Sequence, residues 1–527
     1  MRRISGPLLG ALACLILASG CKVTQDDIDY WTGTIKGPGK IVAVLLADKY
    51  EDDLRVYAGI ALVRMEPRED VDGVSELQAA VRRLDEETRA RLVGMMIPDL
   101  IRIMRGEDAP QAGGAEGEAV PPRQVRAKDA AFLLIPYANE ENRQQLTEAV
   151  VDWFVVDFNG RSLSGNYSAE QVVRQLGAPA ASRLVNALNA RLPQQALVKL
   201  AELISSLGDR ATKERAATRL VEIEREMEGA EFTAWLSDRL RAQAESQGTQ
   251  IDESRLALAA NLNRENFITL GALPSMKHLN DQPVIQDRLL EIANATTGEN
   301  VTAPQLEDRR VKALQAMEGG VRAEQVDTLL AIALNNQSPT AVRDYAFDRI
   351  ADSRAASAVP ALWPTFTDTE DWRMRWRVGS LILTLGGNAV VQEFFTRLND
   401  PAYAREELHG YGERLSQLRP PPAEFMNAQL RSPDWYRRCI ALYYWERRGE
   451  EADIARIRAL SSDAAATNGE HWEEWNTVGK VATAVADAIQ ERLHPTDGQP
   501  AAPAEGGAEG GGAADGAAEG GGEGSGG

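Results

Sequence analysis

One helical frame is written into this chain several times. LRVYAGIALVRM starts at Leu54, VRDYAFDRIADS at Val342, MRWRVGSLILTL at Met374 and YRRCIALYYWER at Tyr436. In each, an apolar or aromatic residue precedes an arginine (Arg55, Arg343, Arg375, Arg437), and Ala58, Ala346, Val378 or Ile440 stands three places on. A turn segment comes before each frame: Asp52-Asp53, Asn336 to Pro339, Asp371, and Ser432 to Asp434. At about 3.6 residues per turn, Met374, Val378, Leu381 and Leu385 share one face, the mark of an amphipathic helix. Gly386-Gly387 end it. Shorter first helices carry a proline near their start, where its missing N–H costs nothing: MIPDLIRIM at Met96, GAPAASRLVNAL at Gly177, GALPSMKHLND at Gly271 and AVPALWPTFTD at Ala358. The unit is helix, turn, helix. One such pair cannot bury its apolar stripe, whereas stacked pairs share a continuous core.

These residues resemble the HEAT-repeat family: proline opening the first helix, Asp in the turn, apolar-Arg opening the second, small residues at the packing positions. The resemblance runs from about Gly39 to Ala488 and is sharpest near 40–65 and 270–450. Residues 129–248 are amphipathic but depart from the motif. It implies an all-α superhelical solenoid of stacked helix pairs, with helices over 39–105, divergent repeats over 127–260 and further repeats over 261–493. The recurrent Arg is expected to bond turn carbonyls or a nearby Asp. A chain of 527 residues is too long for one ordinary core, and its low aromatic and high Ala and Leu content suits helices.

The ends read differently. MRRISGPLLGALACLILASGC has two arginines, a short apolar run and a small-residue stretch before Cys21, the layout of a secretory signal. Leu17-Ala18-Ser19-Gly20-Cys21 resembles the lipobox of bacterial lipoproteins, with the usual leucine displaced by one place to Leu17. The resemblance implies removal of residues 1–20, lipid on Cys21 and a tether over 21–38. Lys22, where an Asp would favour the inner membrane, implies the outer membrane facing the periplasm. Residues 106–126 and 494–527 are rich in Gly, Ala, Pro and Glu. Such segments cannot bury apolar surface, and both are read as disordered.

Little in the chain points to catalysis. A net charge of −20 repels phosphate backbones and argues against nucleic acid as a partner. GTIKGPGKI, at Gly33, lacks the spacing and the Ser or Thr of a phosphate loop. GRSLSG, at Gly160, has Ser164 where a nucleophile elbow needs glycine. The four histidines form no paired motif. His409, near Glu406, Glu407 and Glu413, and His471, near Glu470 and Glu474, stand as an alternative reading: a metal site of an accessory enzyme. Cys439, in YRRCIALYY, reads as a small core residue. No cofactor is called for.

Seven of the ten tryptophans follow position 360, and tryptophan with arginine favours the centre of protein interfaces. The expectation is therefore a non-catalytic, membrane-anchored scaffold whose partner is a protein. Trp372, Arg373, Trp376, Arg377, Trp435 and Trp445 are its candidate contact residues. A purely structural envelope spacer is the remaining alternative.

Overall fold

The computed structural model describes residues 22–68, 71–108, 121–249, 251–298, 300–399, 402–469 and 472–495. Cys21 and the signal segment, residues 109–120 of the loop, Glu470 and His471, and the tail from 496 lie outside the described residues. Among the described residues there is no β-strand, only isolated bridges joining Arg68 to Val71 and Ala466 to Thr477. Everything else regular is helix, as the repeat requires. The chain parts into two compact units, Met1–Ser353 and Arg354–Gly527. The boundary read at 260/261 falls inside the helix Glu253–Phe267.

The first unit begins earlier than the sequence suggests. The span read as a tether holds a helix, Gln25–Thr32, whose cap residue Thr24 and Asp27 bond each other reciprocally. Ile28 is fully buried, and the Tyr57 hydroxyl donates to Asp29 at 2.7 Å. This helix packs on Gly37–Leu46 and Asp52–Arg64. Asp52–Arg64 buries Val56, Ala58, Gly59, Ile60, Ala61, Leu62 and Val63, so it is apolar nearly all round, as a central helix must be. At the far side of the loop, the helix Pro122–Leu134 starts inside the segment read as disordered.

The GALP stretch does not open a new helix. Glu253–Phe267 runs through a π-turn, Ile268–Ala272, directly into Leu273–Lys277. Pro274 has no N–H, and its ring would crowd the carbonyl four residues back. The wider turn accommodates it.

The second unit pairs Val359–Asp368 with Trp372–Gly386, and Ala423–Gln429 with Trp435–Arg448. Its second helices lie side by side: Trp372–Gly386 on Arg405–Gln417, that on Trp435–Arg448, and that on Val478–Leu493. Val378 and Leu385 are buried as read, while Met374 is half-buried. Between the layers the core is aromatic: Phe366, Phe394 and Tyr411 stack edge-on and tilted at 5.0 to 6.2 Å.

The recurrent arginine does what its position demands. Arg55, Arg343 and Arg375 each stand four residues past the capping residue, with backbone N–H groups bonded to Glu51, Pro339 and Asp371. Arg55 Nε donates to the Leu45 carbonyl at 3.0 Å and Arg343 Nε to Ala333 at 3.1 Å. Both carbonyls lie in the last turn of the preceding helix, where no intrahelical donor remains. In the fourth frame the slot belongs to Arg438, whose N–H bonds Asp434. Arg438 Nη1 reaches the carbonyls of Ser432 and Pro433 at 2.6 and 2.9 Å, and its Nε lies 2.8 Å from Asp463. The sequence frame, set on Arg437, is one residue short; Arg437 is half-buried and pairs locally with Asp434.

Candidate binding face

The helix Trp372–Gly386 turns two different faces outward and inward. Asp371 caps it, accepting from the Arg373 N–H at 3.0 Å. Arg375 points inward and is buried, and so are Val378, Gly379 and Ile382. On the outer side Arg373 lays its guanidinium 4.9 Å from the Trp372 ring, a cation–π contact. Trp376 is 38% exposed. Its indole lies over Gly410 of the neighbouring helix, where an added Cβ would come within 2.1 Å of Nε1. Glycine at 410 is thus the seat of an exposed tryptophan. Arg377, one place on, is half-buried.

The same side of the neighbouring helix carries His409. Its ring meets Tyr443 edge-on at 4.8 Å, and Nε2 lies 3.6 Å from a Glu446 oxygen. The carboxylates that the sequence places near it do not converge there. Glu407 is fully buried and turned onto Arg375, and Glu413 pairs with Arg447 at 3.2 Å. Among the described residues no group of three His, Cys, Asp or Glu side chains is arranged to hold a metal.

Two of the six candidate contact residues do not reach the surface. Trp435 is buried, edge-on to Tyr436 and Trp472 at 5.8 and 5.5 Å. Trp445 is buried against Tyr444, with the Arg456 guanidinium 4.3 Å from its ring. Both fill space between helices, and neither presents a face to a partner. Trp472 caps this cluster, its indole donating to the Tyr403 carbonyl at 2.8 Å. Cys439 is buried too, and burial pushes its thiol far above the ordinary range, so it is not a nucleophile at neutral pH.

The first unit holds a polar cluster that the sequence does not announce. Arg288 donates to Glu224 at 2.7 and 3.1 Å and to Glu228 at 2.7 Å. Arg309 reaches the other Glu228 oxygen at 2.8 Å and holds Glu265 at 2.5 and 2.7 Å. Arg264 donates to Glu265 at 3.0 Å and to the Asn300 carbonyl. Glu224, Glu265 and all three arginines are buried. These side chains tie four helices together, Arg210–Glu228, Glu253–Phe267, Pro283–Asn294 and Ala303–Ala316. Every carboxylate is matched by a guanidinium, leaving no free group to act on a substrate.

No protein-family model matches the sequence, and no curated protein matches it. Among solved structures the chain is similar to Kap121p bound to Pho4p, with a TM-score of 0.31 and 11% identity over 92% of this chain and 51% of that one. It is also similar to importin beta, with a TM-score of 0.25 and 11% identity over 89% of this chain and 71% of that one. The chain thus spans about half the length of Kap121p, 51%. No partner or activity follows from likenesses this distant. The stacked helix pairs themselves make the chain an all-α solenoid of the HEAT-like kind.

Proposed function

We propose that this chain is a non-catalytic protein-binding scaffold, held to a bacterial envelope by lipid on Cys21 and docking its partner on the face around Trp376. The observation that carries the reading is the seating of Trp376: a large aromatic, 38% exposed, laid over a glycine and preceded on its helix by an arginine–tryptophan stack. Exposed tryptophan with arginine is the residue pairing that dominates interface energetics. The membrane half of the proposal rests on the lipobox-like sequence alone, with the outer membrane facing the periplasm as its location. Because the first helix starts at Gln25, the folded body would then stand only a few residues from the lipid.

The test is affinity capture of the full chain from cross-linked, solubilised envelopes, alongside Trp376→Ala and Cys21→Ser. A protein captured by the native chain and lost with Trp376→Ala, while the variant keeps its helical signal and melting temperature, supports the docking face. Equal capture by both moves the contact elsewhere. Labelled palmitate on the native chain but not on Cys21→Ser supports the anchor. Absence of label on the native chain removes it without touching the docking face.

A further inference from the structure

A groove of about 480 Å³ lies by the acidic turn before Asp52, but the more informative one is elsewhere in the first unit. Between the helices Glu86–Met104 and Glu140–Val156 lies a groove of about 450 Å³, within the size range of small-molecule sites. Its apolar lining includes Ile101, Met104, Trp153 and Val156, and its cations are Arg105 and Arg161. Val156 is 74% exposed, and Leu163, two residues beyond Arg161, is 84% exposed. Large apolar side chains this open to water are unusual on a soluble surface unless something covers them.

The polar groups define what would fit. The one carboxylate in the lining, Asp152, is held by Arg183 through two bonds of 2.7 Å, so its charge is matched. Arg161 donates through Nη1 to the Trp153 carbonyl at 2.9 Å and stacks 4.8 Å from the Trp153 ring. Its Nε, and the indole Nε1 of Trp153, are buried without an acceptor. Buried donors in folded proteins nearly always find one. Arg105 has only Glu107, at 3.9 Å, both side chains well exposed. The groove therefore combines an apolar wall, unmatched positive charge and two donors wanting an acceptor, in a chain of net charge −20.

We infer that this groove binds an amphipathic anion, an alkyl chain ending in a carboxylate, with the chain along Ile101, Met104 and Val156 and the head group at Arg161 and Arg105. This site is separate from the Trp376 face and does not depend on the scaffold reading.

The test is calorimetric titration of the full chain with decanoate, with decanol and acetate as the chain-only and head-only probes. Decanoate should bind with one site per chain, decanol about tenfold more weakly or worse, and acetate not at all, since a charge-assisted bond separates the two heads. Arg161→Met and Arg105→Met should each weaken decanoate about tenfold and leave decanol unchanged. Arg161 also supports the Trp153 backbone; Arg105 is exposed, so Arg105→Met tests recognition even where Arg161→Met fails to fold. Diazirine-bearing dodecanoate should label peptides within 101–105 or 149–161. Equal affinity for decanoate and decanol, no effect of Arg105→Met, or labelling confined to other segments would overturn the assignment.

Discussion

Arg375 and Glu407 join two adjacent helices through a two-pronged ion pair, with Nε and Nη2 each 2.7 Å from a different carboxylate oxygen. Both side chains are buried, and the Tyr411 hydroxyl lies 2.9 Å from Glu407 Oε1 and from the Arg375 carbonyl. Removing only the arginine leaves a carboxylate stranded in the core. Arg375→Met should cost about 3–5 kcal/mol. Combining it with Glu407→Leu should recover most of that loss, since two matched apolar side chains need no desolvation offset. Urea unfolding followed on the aromatic signal of the second unit measures both. A double variant no more stable than the single would show that the pair itself, and not the stranded charge, sets the cost.

The shift of the repeat register from Arg437 to Arg438 makes a second prediction. Arg438 holds two turn carbonyls and Asp463, whereas Arg437 has a local surface pair. Charged hydrogen bonds made out of solvent contribute about 1.5–3 kcal/mol each, and exposed pairs about 0–1 kcal/mol. Arg438→Met should lower stability by about 3 kcal/mol and Arg437→Met by less than about 1 kcal/mol in the same denaturation experiment. The reverse ranking would restore the frame on Arg437.

That register error shows what the sequence carries and where it stops. The helix pairs are legible because periodicity, capping aspartate and the arginine slot are local signals. The choice between two consecutive arginines, Arg437 and Arg438, is decided by which one faces the turn, and hence by the starting residue of a helix. Trp435 and Trp445 were misread for a related reason. Aromatic residues beside arginine look the same in an interface and in a core, and only the stacking of later helices and Trp472 over them decides. The Glu224, Glu228, Glu265, Arg264, Arg288 and Arg309 cluster was invisible because each residue alone reads as part of a solvated helix face. Its partners are up to 81 positions apart. Trp376 was found from composition, but its seat on Gly410 is a contact between helices and leaves no pattern in one stretch of chain.

Gly410→Ala probes that seat without removing any functional group. In a helix interior alanine is favoured over glycine by about 1 kcal/mol, while the new Cβ would meet the Trp376 indole. Being at the end of a side chain, the indole can swing away. The variant should keep or slightly raise its melting temperature, change its near-ultraviolet dichroism, and lose partner capture as Trp376→Ala does. Retained capture with a displaced indole would separate the glycine from the docking face.

Alkaline pH should loosen the first helix. Burial, reinforced by the bond to Asp29, pushes the Tyr57 phenol up to about 12, above the usual value near 10. A group raised in the folded state stabilises fully below its unfolded value and loses that contribution as pH climbs through the folded one. The Tyr57 contribution is therefore constant up to about pH 10 and disappears between about 10 and 12. Carbon-13 tyrosine resonances, with Tyr57→Phe for assignment, give the midpoint directly. Asp29→Asn should bring it down towards 10 and make Gln25–Thr32 more open to protease. A native midpoint already at 10 would mean that the helix is not held through this contact.

The buried network of the first unit should behave as one object and not as separate pairs. Glu228 accepts from Arg288 through one oxygen and from Arg309 through the other, so loss of either arginine changes what the second is worth. Arg288→Met and Arg309→Met should each destabilise by about 3–5 kcal/mol, because each leaves buried carboxylates short of a partner. Their combination should depart from additivity by about 0.5–3 kcal/mol, the range for residues sharing one ionic network. Glu228→Gln should shrink that coupling while leaving the direct bonds of Arg288 to Glu224 and of Arg309 to Glu265 in place. A double-mutant cycle in urea, repeated in the Glu228→Gln background, measures it. Strict additivity in the native background would mean that Glu228 does not connect the two halves, and that the four helices are held by independent ion pairs.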